Sequence, residues 1–179
     1  MVSLNKTEIK KYVKAVEKGI IGGGSDGLFH PDQIITRIQF VVLLYKFCGS
    51  PKTTATTPFT DISTQSQEFK TALAWAYEHK YISGASATTF NPYGSLTREE
   101  AFTLLFNYSG AKNGNEIMFQ SIYDGTFKDF KTVSSWAKNA MTWAIGNGIV
   151  TGTTATTLSP KQQTTRAEMA VLLSKYFNN

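Results

Sequence analysis

The chain has a single cysteine, Cys48, in 179 residues, which excludes an internal disulfide and any cysteine-built zinc cluster. Long apolar runs are also missing: the longest, Phe40 to Tyr45, is far short of the roughly 20 residues that cross a membrane. The opening MVSLNKTEIKKYVK lacks the apolar core of a signal peptide. Membrane insertion is therefore not expected, and the chain reads as cytosolic or as a piece of an exported protein. Charged residues are only 17% of the total, with Lys and Arg at 18 against 13 for Asp and Glu. The net charge of +5 favours an anionic partner, whether nucleic acid, acidic polysaccharide or membrane surface. Against these absences stand 41% hydrophobic and 13% aromatic residues, enough for a buried core.

That core is written three times. FHPDQIITRIQFVVLLYKF, FNPYGSLTREEAFTLLFNY and LSPKQQTTRAEMAVLLSKY align without gaps. Their anchors Pro31, Pro92 and Pro160 lie 61 and then 68 residues apart, and Arg37, Arg98 and Arg166 keep those intervals. FTD at Phe59 to Asp61 and FKD at Phe127 to Asp129 both open 39 residues before the repeat's Arg. The longer second interval is therefore absorbed between repeats, in the Gly- and Asn-rich SGAKNGNEIMFQSIYDGT. The repeats span 4–50, 58–110 and 126–179, with 111–125 as linker. They are expected to fold as one unit, because one repeat cannot bury its apolar face alone.

Each repeat predicts helix, loop, helix, and the fold class is all-α. Ser135 to Asn147 puts Trp136, Ala140, Trp143 and Ala144 on one helical face, ended by Gly148 as a left-handed cap. Phe69, Leu73, Ala76 and Tyr77 form that face in the second repeat, and Ile9, Tyr12, Val13 and Val16 in the first. Gly23, Gly84 and Gly152 each stand eight residues before the Pro, where positive φ or close backbone approach calls for glycine. The second helices announce their starts: Thr36 with Gln39, Thr97 with Glu100 and Thr165 with Glu168 fit the capping box. Apolar stripes follow in Phe40, Val41, Leu43 and Leu44, in Ala101, Leu104 and Leu105, and in Met169, Ala170, Leu172 and Leu173.

The FTD and FKD openings, the Trp-bearing first helix, the glycine loop with F-x-P, and TRIQ, TREE and TRAE together resemble S-layer homology modules, three in tandem from about Thr7 to Phe177. The resemblance implies a compact pseudo-threefold monomer built round a central three-helix bundle. It implies non-covalent anchoring of bacterial surface proteins to a secondary cell-wall polysaccharide linked to peptidoglycan, often one carrying pyruvylated N-acetylmannosamine. The ligand would lie in grooves between modules, and the location would be extracellular, in the cell wall or S-layer. The missing signal peptide then reads as excision from a longer exported chain. The first repeat departs from the pattern: it has no F-x-D, Gln39 in place of Glu, and Lys14 where the others have Trp75 and Trp143.

Arg37, Arg98 and Arg166 open helices at the positive end of the dipole, where carboxylates are preferred. Three equivalent departures point to a shared purpose: a bidentate clamp on a ligand carboxylate, assisted by exposed N–H groups at the same helix end. The structural alternative is a salt bridge to Asp61, Asp129 or the adjacent Glu. The Thr and Glu of each motif are assigned to capping. Trp75 and Trp143 either stack on sugar rings or fill the core, burial being the commoner fate of aromatics at helical spacing. Asp61 and Asp129 either cap the following helix or accept sugar hydroxyls. The loops carrying Gly23, Gly84 and Gly152 would line the groove, with Ala87 to Thr89 and Ala155 to Thr157 adding hydroxyls. The Gly22 to Gly27 loop lacks the Lys-Ser or Lys-Thr ending of a phosphate loop.

Neither catalysis nor a cofactor or metal is expected. His30 and His79 fall at unrelated places in their repeats, and no carboxylate pair recurs. Glu99 and Glu100 are adjacent on a helix and face different directions. A helical protein-interaction or nucleic-acid module is the second class considered. Its basic residues are scattered, and Lys6, Lys10, Lys11, Lys14 and Lys18 read as the solvated face of one helix, so nucleic acid is not the expected partner. The third class is a surface-lattice assembly contact with degenerate glycan grooves.

Overall fold

A computed structural model describes residues 30–111 and 125–178. The first helix of the first repeat, its lysines, the Gly22 to Gly27 loop with Gly23, and linker residues 112–124 lie outside the described residues. The described residues form helices and no strands, as expected. They comprise α1 (Arg37–Phe47), α2 (Gln67–Glu78), α3 (Arg98–Ser109), α4 (Lys138–Gly146) and α5 (Arg166–Asn178), with short 3-10 turns at Phe130–Thr132 and Ser135–Ala137.

Local chemistry sets the helix ends. Thr36 N–H donates to Gln39 Oε1 at 3.0 Å while Gln39 N–H donates to Thr36 Oγ1 at 3.4 Å. Thr97 with Glu100 (2.8 and 3.4 Å) and Thr165 with Glu168 (2.9 and 3.2 Å) close the same reciprocal box. Gln39 serves as well as Glu because its amide oxygen accepts the same bond. At their other ends α1, α2 and α4 share one pair of backbone bonds. Gly49 donates to Lys46 and Ser50 to Tyr45; Lys80 to Tyr77 and Tyr81 to Ala76; Gly148 to Ile145 and Ile149 to Ala144. The turning residue is left-handed in each, with φ of 78° at Gly49, 59° at Lys80 and 66° at Gly148. Lys80 bears a side chain there, at a cost of about 1 kcal/mol.

The chain divides into two compact units, one of Met1–Ser95 with Thr165–Asn179, the other Leu96–Thr164. In the first, α1 packs on α2: the Tyr45 ring lies 5.5 Å from Trp75, and Lys46 pairs with Glu68 at 3.0 Å. Phe47 of α1 also stacks on Phe177 of α5 at 3.7 Å. In the second, α3 packs on α4, with Phe106 edge-on to Trp143 at 5.6 Å. Tyr45 and Phe106 are equivalent repeat positions, as are Trp75 and Trp143. In both units, then, the second helix of one repeat packs against the first helix of the next. Each division accordingly falls inside a repeat, just before its Thr-Arg motif.

Two side chains depart from their expected faces. Trp136 is 56% exposed, because Ser135–Ala137 is wound three residues per turn and the α phase of Ala140, Trp143 and Ala144 does not extend back to it. Tyr77 is 37% exposed, with only one edge covered by Phe59 at 5.2 Å.

Candidate functional site

The Phe90-Asn91-Pro92 and Leu158-Ser159-Pro160 loops are held by the opening aspartates. Asp61 accepts the amides of Phe90 (2.9 and 3.1 Å) and Asn91 (2.7 Å). Asp129 accepts those of Leu158 (2.9 and 3.2 Å) and Ser159 (2.7 Å), the equivalent residues one repeat on. The middle loop residue is left-handed in all three repeats, with φ of 52° at His30, 58° at Asn91 and 51° at Ser159. These aspartates do not cap the following helix. Ser66 caps α2 by accepting from Phe69 N–H, and Asp129 makes no side-chain cap to the turn after it. Burial opposes the Asp61 charge, but the amides of Phe90, Asn91 and Asp61 itself, with the Arg37 charge, hold its carboxyl below the usual range.

The arginines grip the same loops from the other side. Arg37 Nε donates to Phe90 O at 3.0 Å and Nη2 to Ser83 O at 3.1 Å, with the guanidinium 4.9 Å from the Phe90 ring centre. Arg98 Nε donates to Leu158 O at 2.9 Å, and its guanidinium lies 5.7 Å from the Phe102 ring centre. One loop residue thus gives its N–H to Asp and its C=O to Arg, at Phe90 and again at Leu158. Asp61 and Arg37 are thus joined through the Phe90 peptide, and Asp129 and Arg98 through Leu158.

The helix-start amides are already occupied, which corrects the expectation of exposed N–H groups beside each arginine. Arg37 N–H donates to Gly94 O and Ile38 N–H to Pro92 O, at 2.9 and 3.0 Å. Arg98 with Gln162 and Glu99 with Pro160, then Arg166 with Gln33 and Ala167 with Pro31, repeat the pair at the same distances. Helix-start donors need acceptors, and another repeat's loop supplies them. Single antiparallel bridges, Thr36 to Ser95, Thr97 to Gln163 and Ile34 to Thr165, mark the same junctions.

Gly84 and Gly152 stand where the backbone approaches closely, as expected. A Cβ at Gly84 would lie 2.7 Å from Thr89 O and 2.5 Å from the Phe59 ring; at Gly152, where φ is 87°, it would lie 2.6 Å from Thr157 O. Trp75 and Trp143 are buried, 4% and 8% exposed, Trp75 lying against Tyr45 and Tyr81. Among the described residues the exposed aromatics are Tyr93 at 71%, Trp136 and Tyr77, none singled out as a sugar contact from the sequence. The loop hydroxyls cross-link: Ser86 with Thr89 at 2.6 Å, and Thr153 with Ser159 at 2.7 Å.

Sequence reasoning also passed over Glu99, 3% exposed, which accepts from Ser134 N–H (3.0 Å), Ser134 Oγ (2.9 Å) and Lys161 Nζ (2.5 Å). Its signal was TREE, where the third repeat has TRAE. Among the described residues no group of His, Cys, Asp and Glu is placed to hold a metal, and no helix is long and apolar enough to cross a membrane.

The repeated junction of capped Thr-Arg helix, Asp-held loop and glycine turn defines a module that recurs along one chain. The sequence matches the S-layer homology domain over residues 13–41, 58–102 and 126–170, and the chain belongs to that family. It is 28% identical to the Surface-layer 125 kDa protein of Lysinibacillus sphaericus over 92% of this chain and 13% of that protein. It is 34% identical to an Endoglucanase of Bacillus sp. (strain KSM-635) over 64% of this chain and 11% of the relative. It is 25% identical to the Cellulosome-anchoring protein of Acetivibrio thermocellus over 86% of this chain and 34% of that protein. The chain therefore spans about a third or less of each of these relatives.

Proposed function

We propose that this chain is a non-catalytic anchoring module. It holds a longer protein at the bacterial cell surface by binding an anionic secondary cell-wall polysaccharide, with pyruvylated sugar as the recognised group. Its relatives combine the same region with proteins named as surface-layer, enzymatic and cellulosome-anchoring, which supports a module separable from any one activity. The observation that carries the proposal is the junction built alike around Arg37 and Arg98, where a planar cation sits beside hydroxyl-bearing loops. Carbonyl bonds along one side fix the guanidinium plane, a precondition for directional recognition of a sugar carboxylate. Asp61 and Asp129 contribute by shaping the loops, and the buried Trp75 and Trp143 by supporting the helices beneath.

The test is calorimetric titration of the chain with a synthetic pyruvylated disaccharide and its unpyruvylated form, beside co-sedimentation with cell walls that keep or lack their secondary polymer. Binding is expected only with the pyruvylated sugar and only to walls that retain the polymer. Equal affinity for the two sugars refutes the carboxylate-recognition role, and indifference to stripping refutes the polysaccharide as partner.

A further inference from the structure

The Arg37 and Arg98 junctions differ at the residue after the arginine. In one it is Ile38, in the other Glu99, whose side chain is 4% exposed. A carboxylate so buried needs hydrogen-bond donors around it, and Glu99 has three: the Ser134 amide, the Ser134 hydroxyl and the Lys161 ammonium. The residues equivalent to those donors near Arg37 are Ser66 and Tyr93, and they are engaged otherwise. Ser66 caps its helix, and the Tyr93 hydroxyl accepts from Gln65 Nε2 at 2.9 Å. The diversion of Ser134 leaves a trace in the backbone. Its hydroxyl makes no cap, and the segment that begins as α-helix at Gln67 in the second repeat begins as a 3-10 turn at Ser135 in the third.

An amide, a hydroxyl and an ammonium around one carboxylate are the donor set that would receive a sugar acid. We propose that Glu99 is a built-in occupant of the Arg98 junction, its own carboxylate taking the donors that an acidic sugar would otherwise engage. The acidic glycan then binds at the Arg37 junction through the guanidinium, Ile38 bringing no carboxylate in Glu99's place, and is kept from the Arg98 junction, whose further donors Glu99 already holds. Attachment to the same chain gives Glu99 a standing advantage over a dilute ligand, because its local concentration does not fall with the ligand's. Lys161, 54% exposed, closes the site from the solvent side. This inference rests on the acidic-glycan function proposed above.

The test is titration of the whole chain with the synthetic pyruvylated disaccharide, comparing wild type, Glu99→Gln and Glu99→Ile. Each substitution is expected to add one binding site, and adding Arg98→Ala to Glu99→Ile should remove it. Arg37→Ala should weaken wild-type binding by at least tenfold. In wild type, saturating sugar should shift the Arg37 Nε–H NMR signal and leave the Ser134 amide in place. An unchanged site number in folded Glu99 variants, or a shifted Ser134 amide in wild type, overturns the inference while the glycan function stands. No binding by wild type or any variant overturns both.

Discussion

Thr164 offers a sharp test of how these repeats share a core. It is 2% exposed, its amide donates to Leu96 O at 2.8 Å, and its hydroxyl has no partner among the described residues. The equivalent positions hold Ile35 and Leu96, each 0% exposed. A buried hydroxyl without a partner costs about 1–3 kcal/mol. Thr164→Val keeps the branched shape, opens no cavity and removes that cost, so a gain of about 1–2 kcal/mol is expected. For a chain of this size, about 2–4 °C per kcal/mol puts the rise in Tm at roughly 2–8 °C by scanning calorimetry. Thr142 supplies the control: it is 3% exposed with an equally unpartnered hydroxyl, and its counterpart is Ala74. Thr142→Ala removes the penalty but leaves a methyl-sized void worth about 1 kcal/mol, so the two effects nearly cancel. An unchanged or lowered Tm for Thr164→Val would refute the reasoning, because the hydroxyl would then be satisfied or the site unable to take a methyl.

The loops carry two further predictions. Gly84→Ala should lower Tm measurably, since its Cβ meets a backbone oxygen that cannot move without breaking the turn; a melt identical to wild type would mean the loop relaxes freely. The lowered pKa of Asp61 has a definite sign in stability: a carboxyl held below its unfolded value stabilises the fold above about pH 4, and this contribution is lost as pH falls through the folded value. The Tm difference between wild type and Asp61→Asn should therefore shrink between about pH 5 and pH 2. A difference constant across that range would show that the Asp61 charge is not what holds the loop.

Much of this was legible in the sequence because it depends on near neighbours. The capping boxes at Thr36, Thr97 and Thr165, the left-handed Gly148 and the crowded Gly84 follow from residue types within a few positions. Misjudged residues had partners far along the chain. The aspartates, 29 and 30 residues before the amides they hold, looked like helix caps. Trp136 looked buried because its spacing fits an α-helix, and the diversion of Ser134 by Glu99, 35 residues away, cannot be read from that spacing.

By itself the sequence determined where the Thr-Arg helices start, the three repeats and the family to which they belong. Only the tertiary structure decided which repeat each helix packs against. Equivalent repeats present equivalent apolar stripes, so periodicity gives no preference between a helix's own partner and its neighbour's. Geometry resolves this by pairing Tyr45 with Trp75 and Phe106 with Trp143, each across a repeat boundary. Those pairings carry the Arg37 and Arg98 helix starts to the next repeat's loop. The junction is therefore made of residues about 60 apart in the chain, and a residue as ordinary in sequence as Glu99 becomes the buried charge that sets one junction apart.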